Sequence, residues 1–135
     1  MANELVVVTL LGNQGDPVEY TILDNTAIPK GTLMEMEDFG VAKKVSGAGV
    51  AIAGITAVEK VANNGVTKMA CLTNVIAQAT VSSGGTSVIG SYVRSAGSDN
   101  TITVSTTLDH ETGKGFAKSM ETGGNSEVIV VRVAC

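Results

Sequence analysis

The sequence is short of aromatic residues and of proline, and each shortage narrows the class of protein. Two Tyr and two Phe make up 3% of the 135 residues, and Trp is absent, so the core has to be built from Val, Ile, Leu, Met and Ala. Sugar-binding modules favour exposed aromatic side chains, and so few aromatics argue against that class. Two prolines beside 16 glycines indicate tight turns between short strands rather than a disordered linker.

Basic residues and long apolar runs are also scarce. Nine Lys and Arg residues against 13 Asp and Glu give a net charge of −4, without the basic footprint of nucleic-acid binding. No apolar run reaches the roughly 18 residues of a membrane-spanning helix. The apolar segment 5–11 also lacks the basic region and cleavage site of a signal peptide. We therefore expect no nucleic-acid or membrane partner, and a protein that works where it is made or in an assembly formed there.

Cysteine and histidine are too few for the usual metal and nucleophile patterns. Cys71 and Cys135 have no metal-type spacing. We predict that Cys71 is a small buried hydrophobe in an apolar strand and that Cys135 is a free thiol, while a disulfide between them stays open. His110 lies between Asp109 and Glu111, but adjacent residues on an extended chain point apart. A solvated loop is therefore favoured there over a metal or catalytic site.

Two glycine-rich segments imitate nucleotide-binding loops without their full spacing. GKG at 113–115 lacks the preceding part of GxxxxGK[ST], and GAG at 47–49 lacks the third glycine and the βαβ pattern of a dinucleotide fingerprint. Glu35, Glu37 and Asp38 suggest an acidic patch, although a solvated strand face or an interface rim explains them as well. No serine lies in a GxSxG pattern. The sequence predicts no catalytic residue, no cofactor and no metal site, and hence no enzyme.

Short apolar segments separated by turns are what the sequence has in quantity. Region 66–107 holds three strand-like runs divided by glycine-containing turns. In the last run Ile102, Val104 and Thr106 share one face of a period-2 ribbon, and hydroxyl side chains occupy the other. The final run, 127–134, has Val and Ile on both faces. That pattern predicts a central strand.

The remaining segments complete a predicted all-β fold. Segment 50–61 fits both a doubly buried strand and a helical stripe, and its β-branched content and Gly54 favour the strand. Segment 108–115 is predicted to be a polar loop, and 116–120 a short strand or a single helical turn. We count about nine strands and no long helix, which predicts a small barrel or sandwich. Residues 1–16 are assigned to an extended N-terminal arm and residues 17–135 to a single β-rich domain.

Four segments of the chain resemble a known family. In chain order they read IPKGTLMEME, AGITAVEK, NNGVTKMACLTNVIAQATVSSGGTSVIGSYV and GKGFAKSMETGGNSEVIVVRV. Their order and composition over residues 28–133 are similar to those of the head decoration, or cement, proteins of tailed bacteriophages, including the lambda-type family with a small β-rich fold.

This resemblance implies a location and partners. The protein would lie on the exterior of the virion capsid, at three-fold and quasi-three-fold positions of the expanded shell, after synthesis in the host cytoplasm. Its partners would be the major capsid protein and further copies of itself, as a homotrimer or as three monomers meeting on the shell. The resemblance implies no enzymatic activity.

The family resemblance also implies a role for the apolar N-terminal arm. In the family, this segment often adds to a strand of the major capsid protein. The capsid-contact residues would then be Leu5, Val6, Val7, Val8, Leu10 and Leu11. Deleting residues 1–11 is predicted to leave a folded protein that binds the capsid weakly. Because family arms are often rich in Pro, Thr and Ser, a permanent strand of the home barrel stays the alternative for this apolar segment.

Two other classes of function remain open at this stage. Another virion structural part, such as a tail-tube or head–tail connection protein, shares the β-rich composition; tail-tube subunits usually have a long hairpin, and none is evident here. A surface- or carbohydrate-binding β module is the other alternative. The enzyme hypothesis would be favoured again if a measurable activity were lost on replacing His110 with alanine.

Overall fold

The regular secondary structure is almost entirely β-strand. A computed structural model describes residues 3–10, 17–97 and 100–135. Within these ranges there are eleven strands and one short helix, so the predicted all-β class is confirmed and the count of about nine strands was low. The elements are β1 (Val6–Leu10), β2 (Val18–Thr21), β3 (Leu33–Asp38), β4 (Val41–Lys44), β5 (Ile52–Thr56), β6 (Lys68–Leu72), β7 (Asn74–Val81), β8 (Tyr92–Ser95), β9 (Thr101–Val104), α1 (Thr107–Glu111), β10 (Ala117–Ser119) and β11 (Val128–Ala134).

Five of these strands close a small barrel, in the order β2-β4-β3-β5-β6. β2 and β4 run parallel, and the other neighbours are antiparallel. Strands β5 and β6 approach each other closely at Gly54, which has a φ of +147°; an added Cβ would lie 2.6 Å from the carbonyl oxygen of Leu72. Glycine therefore permits the close approach of β5 to β6. Segment 50–61 contains β5, a shorter strand than its apolar pattern predicts.

The other six strands form a sheet in the order β1-β7-β11-β10-β8-β9, with a further parallel pairing between β7 and β9. β11 lies between β7 and β10, which confirms the prediction that the last strand is central. One of its faces is buried, through Ile129, Val131 and Val133, whereas Val128 and Arg132 on the other face are exposed. Apolar residues on both faces of β11 therefore do not mean burial on both faces.

Barrel and sheet share a hydrophobic core. Leu33 and Ile55 of the barrel belong to the same buried cluster as Val75 and Ile102 of the sheet. The side chain of Asn100, fully buried at the start of β9, accepts a hydrogen bond from the backbone N–H of Leu33 at 3.0 Å. This bond ties the β8–β9 turn of the sheet to β3 of the barrel.

The predicted polar loop after β9 contains the helix α1. Thr106 and Asp109 cap it reciprocally: the hydroxyl of Thr106 accepts from the N–H of Asp109 at 3.1 Å, and the Asp109 carboxylate accepts from the N–H of Thr106 at 3.0 Å. The hydrogen bonds from Thr106, more than nearby Arg94, lower the pKa of Asp109. Helix α1 follows β9 closely, so the strand ends at Val104 rather than at Thr107. No described helix is long and apolar enough to cross a membrane.

Candidate interaction surfaces

Strand β1 lies at one edge of the six-stranded sheet. It pairs with β7 through Val6–Gln78 and Val7–Ala77, and a β-bulge follows Val7. On the side away from β7, the N–H of Leu5 donates to the carbonyl of Gly31 at 2.8 Å. Because hydrogen-bonding directions alternate along an antiparallel strand, the backbone of Val7 points to this same side. In the described part of the chain no strand pairs with β1 there, so β1 offers a free edge.

The six predicted contact residues differ in how far they are buried or exposed. Leu5 is buried in the core and Val7 is half-buried, whereas Val6 is 57% and Val8 53% exposed. Leu10 ends β1, and Leu11 lies outside the described residues. The contact role of these six, and the division of the chain at residue 16, remain predictions. Of the predicted arm, residues 11–16 also lie outside the described part.

A groove of about 660 Å³ runs beside β1. Residues of β1 form one wall, and Thr56, Ala57 and Leu72 of the barrel contribute to the other; Glu4 and Lys30 supply its charges. The lining is largely apolar. The groove can therefore accept an apolar group, with a charged contact at its margin.

Gly31 fixes the position of β1 against the barrel. Its φ is +81°, and a Cβ at this position would overlap the carbonyl oxygen of Leu5. A residue without a side chain is needed for both reasons. The crossing of Gly31 by Leu5, together with the pairing of β1 with β7, thus holds β1 along the groove.

The outer face of the six-stranded sheet forms a second surface. Val6, Gln78 and Val130 lie in one row across β1, β7 and β11, because directly paired residues share a face. Val128 lies next to this row and is 59% exposed. No layer covers this face in the described residues.

Basic residues lie at the end of the same face. Arg132 of β11 pairs directly with Lys118 of β10, which in turn pairs with Tyr92 of β8. Both cations are exposed, and neither takes part in an ion pair among the described residues. Like charges directly across a strand pair repel each other. The outer face therefore combines apolar side chains with an uncompensated positive charge.

The tip of the β3–β4 hairpin is a third exposed feature. Phe39 and Gly40 form its loop, and the side chain of Phe39 is 100% exposed. The loop is held by two hydrogen bonds: the Asp38 carboxylate accepts from the N–H of Phe39, and the carbonyl of Gly40 accepts from the N–H of Thr21, both at 2.7 Å. Sequence analysis did not single out Phe39. The sequence pattern that could have indicated Phe39 is an aromatic residue inside a two-residue turn.

The three residues of the predicted acidic patch differ in burial and in ion-pair partners. Glu35 is buried, and its carboxylate accepts from the N–H of Ser46 at 3.0 Å and lies 3.3 Å from the Lys43 ammonium. Glu37, which is exposed, lies 3.2 Å from the same ammonium. The hydrogen bonds that the Lys43 ammonium donates, first to Glu37 and then to Glu35, raise the pKa of Lys43. Asp38, at the hairpin tip, has no such partner among the described ion pairs.

The segments considered above as possible sites of chemistry take part in local structure, as part of a helix or through backbone hydrogen bonds. His110 lies within α1, where Asp109 is 3.2 Å from Nε of Arg94 but out of hydrogen-bond alignment. Lys114 donates its backbone N–H to Asp109 after the helix, and Gly49 donates to the carbonyl of Ser95. Across residues 3–10, 17–97 and 100–135, no group of three or more His, Cys, Asp or Glu side chains is placed to hold a metal ion.

The two cysteines are free thiols, so the disulfide left open by the sequence is not formed. Cys71 is fully buried in the barrel, as predicted, and this burial, with a smaller contribution from Cys135, raises its pKa to about 12. Cys135 is exposed as a residue, but desolvation of its sulfur raises its pKa to about 11. Both thiols are therefore protonated and poorly nucleophilic near neutral pH.

Comparison with known proteins shows a similarity to a solved structure. No family model matches the chain, and no curated protein matches it. The crystal structure of the N base of head fiber gp8.5 in bacteriophage phi29 is similar, with a TM-score of 0.53 and 13% sequence identity over 88% of this chain and 95% of that chain. At this identity the similarity is one of fold, and it extends over nearly the whole of both chains.

Proposed function

We propose that this chain is a structural protein of a phage head, and specifically a decoration protein that binds the outside of the expanded capsid and stabilises it. The observation that supports this most directly is the fold shared with the phi29 head fiber N base across almost the whole of both chains. The exposed apolar and basic surfaces described above suit a binding role. The proposed partners are the major capsid protein and other copies of this chain.

The proposed shell-facing surface is the outer face of the six-stranded sheet. Val6 and Val8 from the predicted contact set lie at its β1 edge, and Val128 extends it across β11. Burying such side chains removes apolar area from water at about 25 cal/mol per Å². Lys118 and Arg132 add a positive charge whose repulsion an acidic shell surface would relieve.

Stabilisation then follows from mass action. A protein that binds the expanded shell, and not the unexpanded one, stabilises the expanded state by RT ln(1 + [L]/Kd) at every site. Occupancy at many equivalent positions multiplies this small contribution. Modest affinity for each copy is therefore sufficient, and three-fold and quasi-three-fold positions are the sites we propose.

The copy number in purified virions tests the proposal. Quantitative mass spectrometry of this chain relative to the major capsid protein is expected to give roughly one copy per shell subunit, because three copies at each three-fold position match three subunits there. A few copies per particle would place the chain in the tail or connector instead. Absence from the virion would reject a structural role.

A pair of matched variants tests the proposed surface in the same system. Val128→Glu is expected to reduce binding to expanded, decoration-free capsids at least tenfold, because it places a carboxylate on the outer face of the sheet in place of an exposed apolar side chain. Val61→Glu is the control, since Val61 is 62% exposed but lies outside the sheet. Equal binding by the two variants would show that the outer face of the sheet does not contact the shell.

A second candidate is favoured by the similar structure, which is the N base of a phage head fiber. This chain would then be the base of a longer head appendage rather than a complete decoration protein. The mass of the intact polypeptide extracted from virions separates the two functions. A mass well above that of this chain would favour the fiber base.

A further inference from the structure

We propose that the hairpin tip at Phe39 of one copy binds in the β1 groove of a second copy, so that copies of this chain associate head to tail in solution. The inference deepens the self-association contained in the proposed function. It does not depend on binding to a capsid, and its test uses the purified chain alone.

Phe39 has the properties of an anchoring side chain. It is 100% exposed, in a chain with two Phe residues, of which the other, Phe116, is fully buried. Aromatic residues are enriched among the few positions that dominate protein–protein binding. The hydrogen bonds of its loop to Asp38 and Thr21 hold the tip in one conformation, which reduces the entropy lost on binding.

The β1 groove complements this tip in chemistry. Its apolar walls include Leu5, Ala57 and Leu72, and its volume of about 660 Å³ is ample for a phenyl ring with its loop. Its lining includes Lys30, which has no ion-pair partner among the described residues. Asp38 beside Phe39 supplies the opposite charge.

The charges also define an orientation. Glu4 lines the groove together with Lys30, and it would repel the acidic tip. Asp38 therefore has to contact Lys30 rather than Glu4.

The hairpin tip at Phe39 cannot reach the β1 groove of its own chain. Leu33 at the start of β3 pairs with Ile55, which places Ala57 and Gly31 at that end of the barrel. Phe39 follows the other end of β3, six residues away, a distance of roughly 20 Å at 3.3 Å per residue. The contact has to join two molecules, and it is heterologous, since different surfaces meet.

A heterologous contact closes into a ring when its rotation permits, and otherwise continues as a filament. Each copy contributes Phe39 to one neighbour and the groove to the other. A closed ring of three copies would match the three-fold positions of the proposed function.

Disulfide trapping tests the contact directly. Gly40→Cys, which leaves the Phe39 side chain in place and has open space for a side chain, and Ala57→Cys are combined in one chain that also contains Cys135→Ser, while Cys71 stays because it is fully buried. After oxidation of the purified protein, a non-reducing gel is expected to show disulfide-linked species of two or more copies that reductant converts to monomer. Each single cysteine variant is expected to stay monomeric, because an engineered bridge requires both partners within about 7 Å.

The matched control moves the first cysteine from the hairpin tip to another exposed site. Ile89→Cys is combined with Ala57→Cys in the same background, since Ile89 is 64% exposed but lies in the β7–β8 connection. We expect no linked species from this pair. Monomers alone from the Gly40 pair, or equal linking by the Ile89 pair, would overturn the proposal.

A measurement without engineered thiols gives an independent outcome. In sedimentation equilibrium, Phe39→Ser is expected to weaken self-association at least tenfold, and Ile89→Ser to leave it unchanged. A wild-type chain that stays monomeric at high concentration, or association that Phe39→Ser does not affect, would also overturn the proposal. Capsid binding measured in parallel shows whether the proposed function fails separately.

Discussion

Replacing Gly31 with alanine is expected to lower the free energy of unfolding by about 3 kcal/mol. Its φ of +81° is unfavourable for any L residue with a side chain, and the new Cβ would overlap the carbonyl oxygen of Leu5. Relief of that overlap requires Leu5 to move, which removes its side chain from the core and breaks its hydrogen bond to the Gly31 carbonyl. Urea unfolding, with the midpoint and slope measured separately, gives the free energy.

Gly40→Ala is the matched control for the Gly31 experiment. Gly40 has a φ of +70°, but no atom lies within 4 Å of where its Cβ would be. This variant should therefore lose about 1 kcal/mol, from backbone strain alone. The difference between the two variants measures the crossing of Gly31 by Leu5. Equal losses would contradict the view that this crossing holds β1 in place.

Replacing Lys60 with methionine is expected to lower the free energy of unfolding by about 3 kcal/mol. The side chain of Lys60 is 1% exposed. Its ammonium donates to the carbonyls of Asp24, at 2.7 Å, and Val61, at 3.1 Å, and lies 3.3 Å from the Asp24 carboxylate. Methionine fills a similar volume but leaves these oxygens without their donor. Thermal and urea unfolding both report the loss.

Lys68→Met provides the comparison for Lys60. Lys68 is exposed, and its ammonium lies 3.9 Å from the Glu19 carboxylate. Exposed pairs of this kind contribute little, so a change of less than about 0.5 kcal/mol is expected. A similarly small effect at Lys60 would mean that water replaces the buried ammonium, and would contradict the assigned role of its three contacts.

The strands with simple periodicity are the part of the fold that the sequence predicts well. Ile102 is buried in β9 as its period-2 pattern requires, and β11 is central as its valine-rich run indicates. The helix α1 was missed because its cap, Thr106 with Asp109, lies in a short polar stretch without an apolar stripe. Local periodicity cannot detect so short a helix.

Surfaces that bind partners are harder to predict, because their side chains resemble those of a core. The sequence pattern predicts that Val128 and Val130 form a second buried face of β11. In the structure they lie on the uncovered side of the sheet. The groove is formed by β1, Gly31, Ala57 and Leu72, which are distant in sequence, so no local pattern describes it. The buried Lys60 was likewise hidden within a mostly apolar segment.

The order of strands along the chain has a consequence for folding during synthesis. Val6 of β1 pairs with Gln78 of β7, and the five strands of the barrel all lie between them in sequence. As the chain leaves the ribosome, β1 emerges before the barrel but obtains its partner strand after it. Closing so long a loop carries a large entropic penalty unless the barrel has already brought its ends together. The barrel thus serves as the template that delays and then directs the pairing of β1, whose apolar edge is exposed to aggregation in the interval.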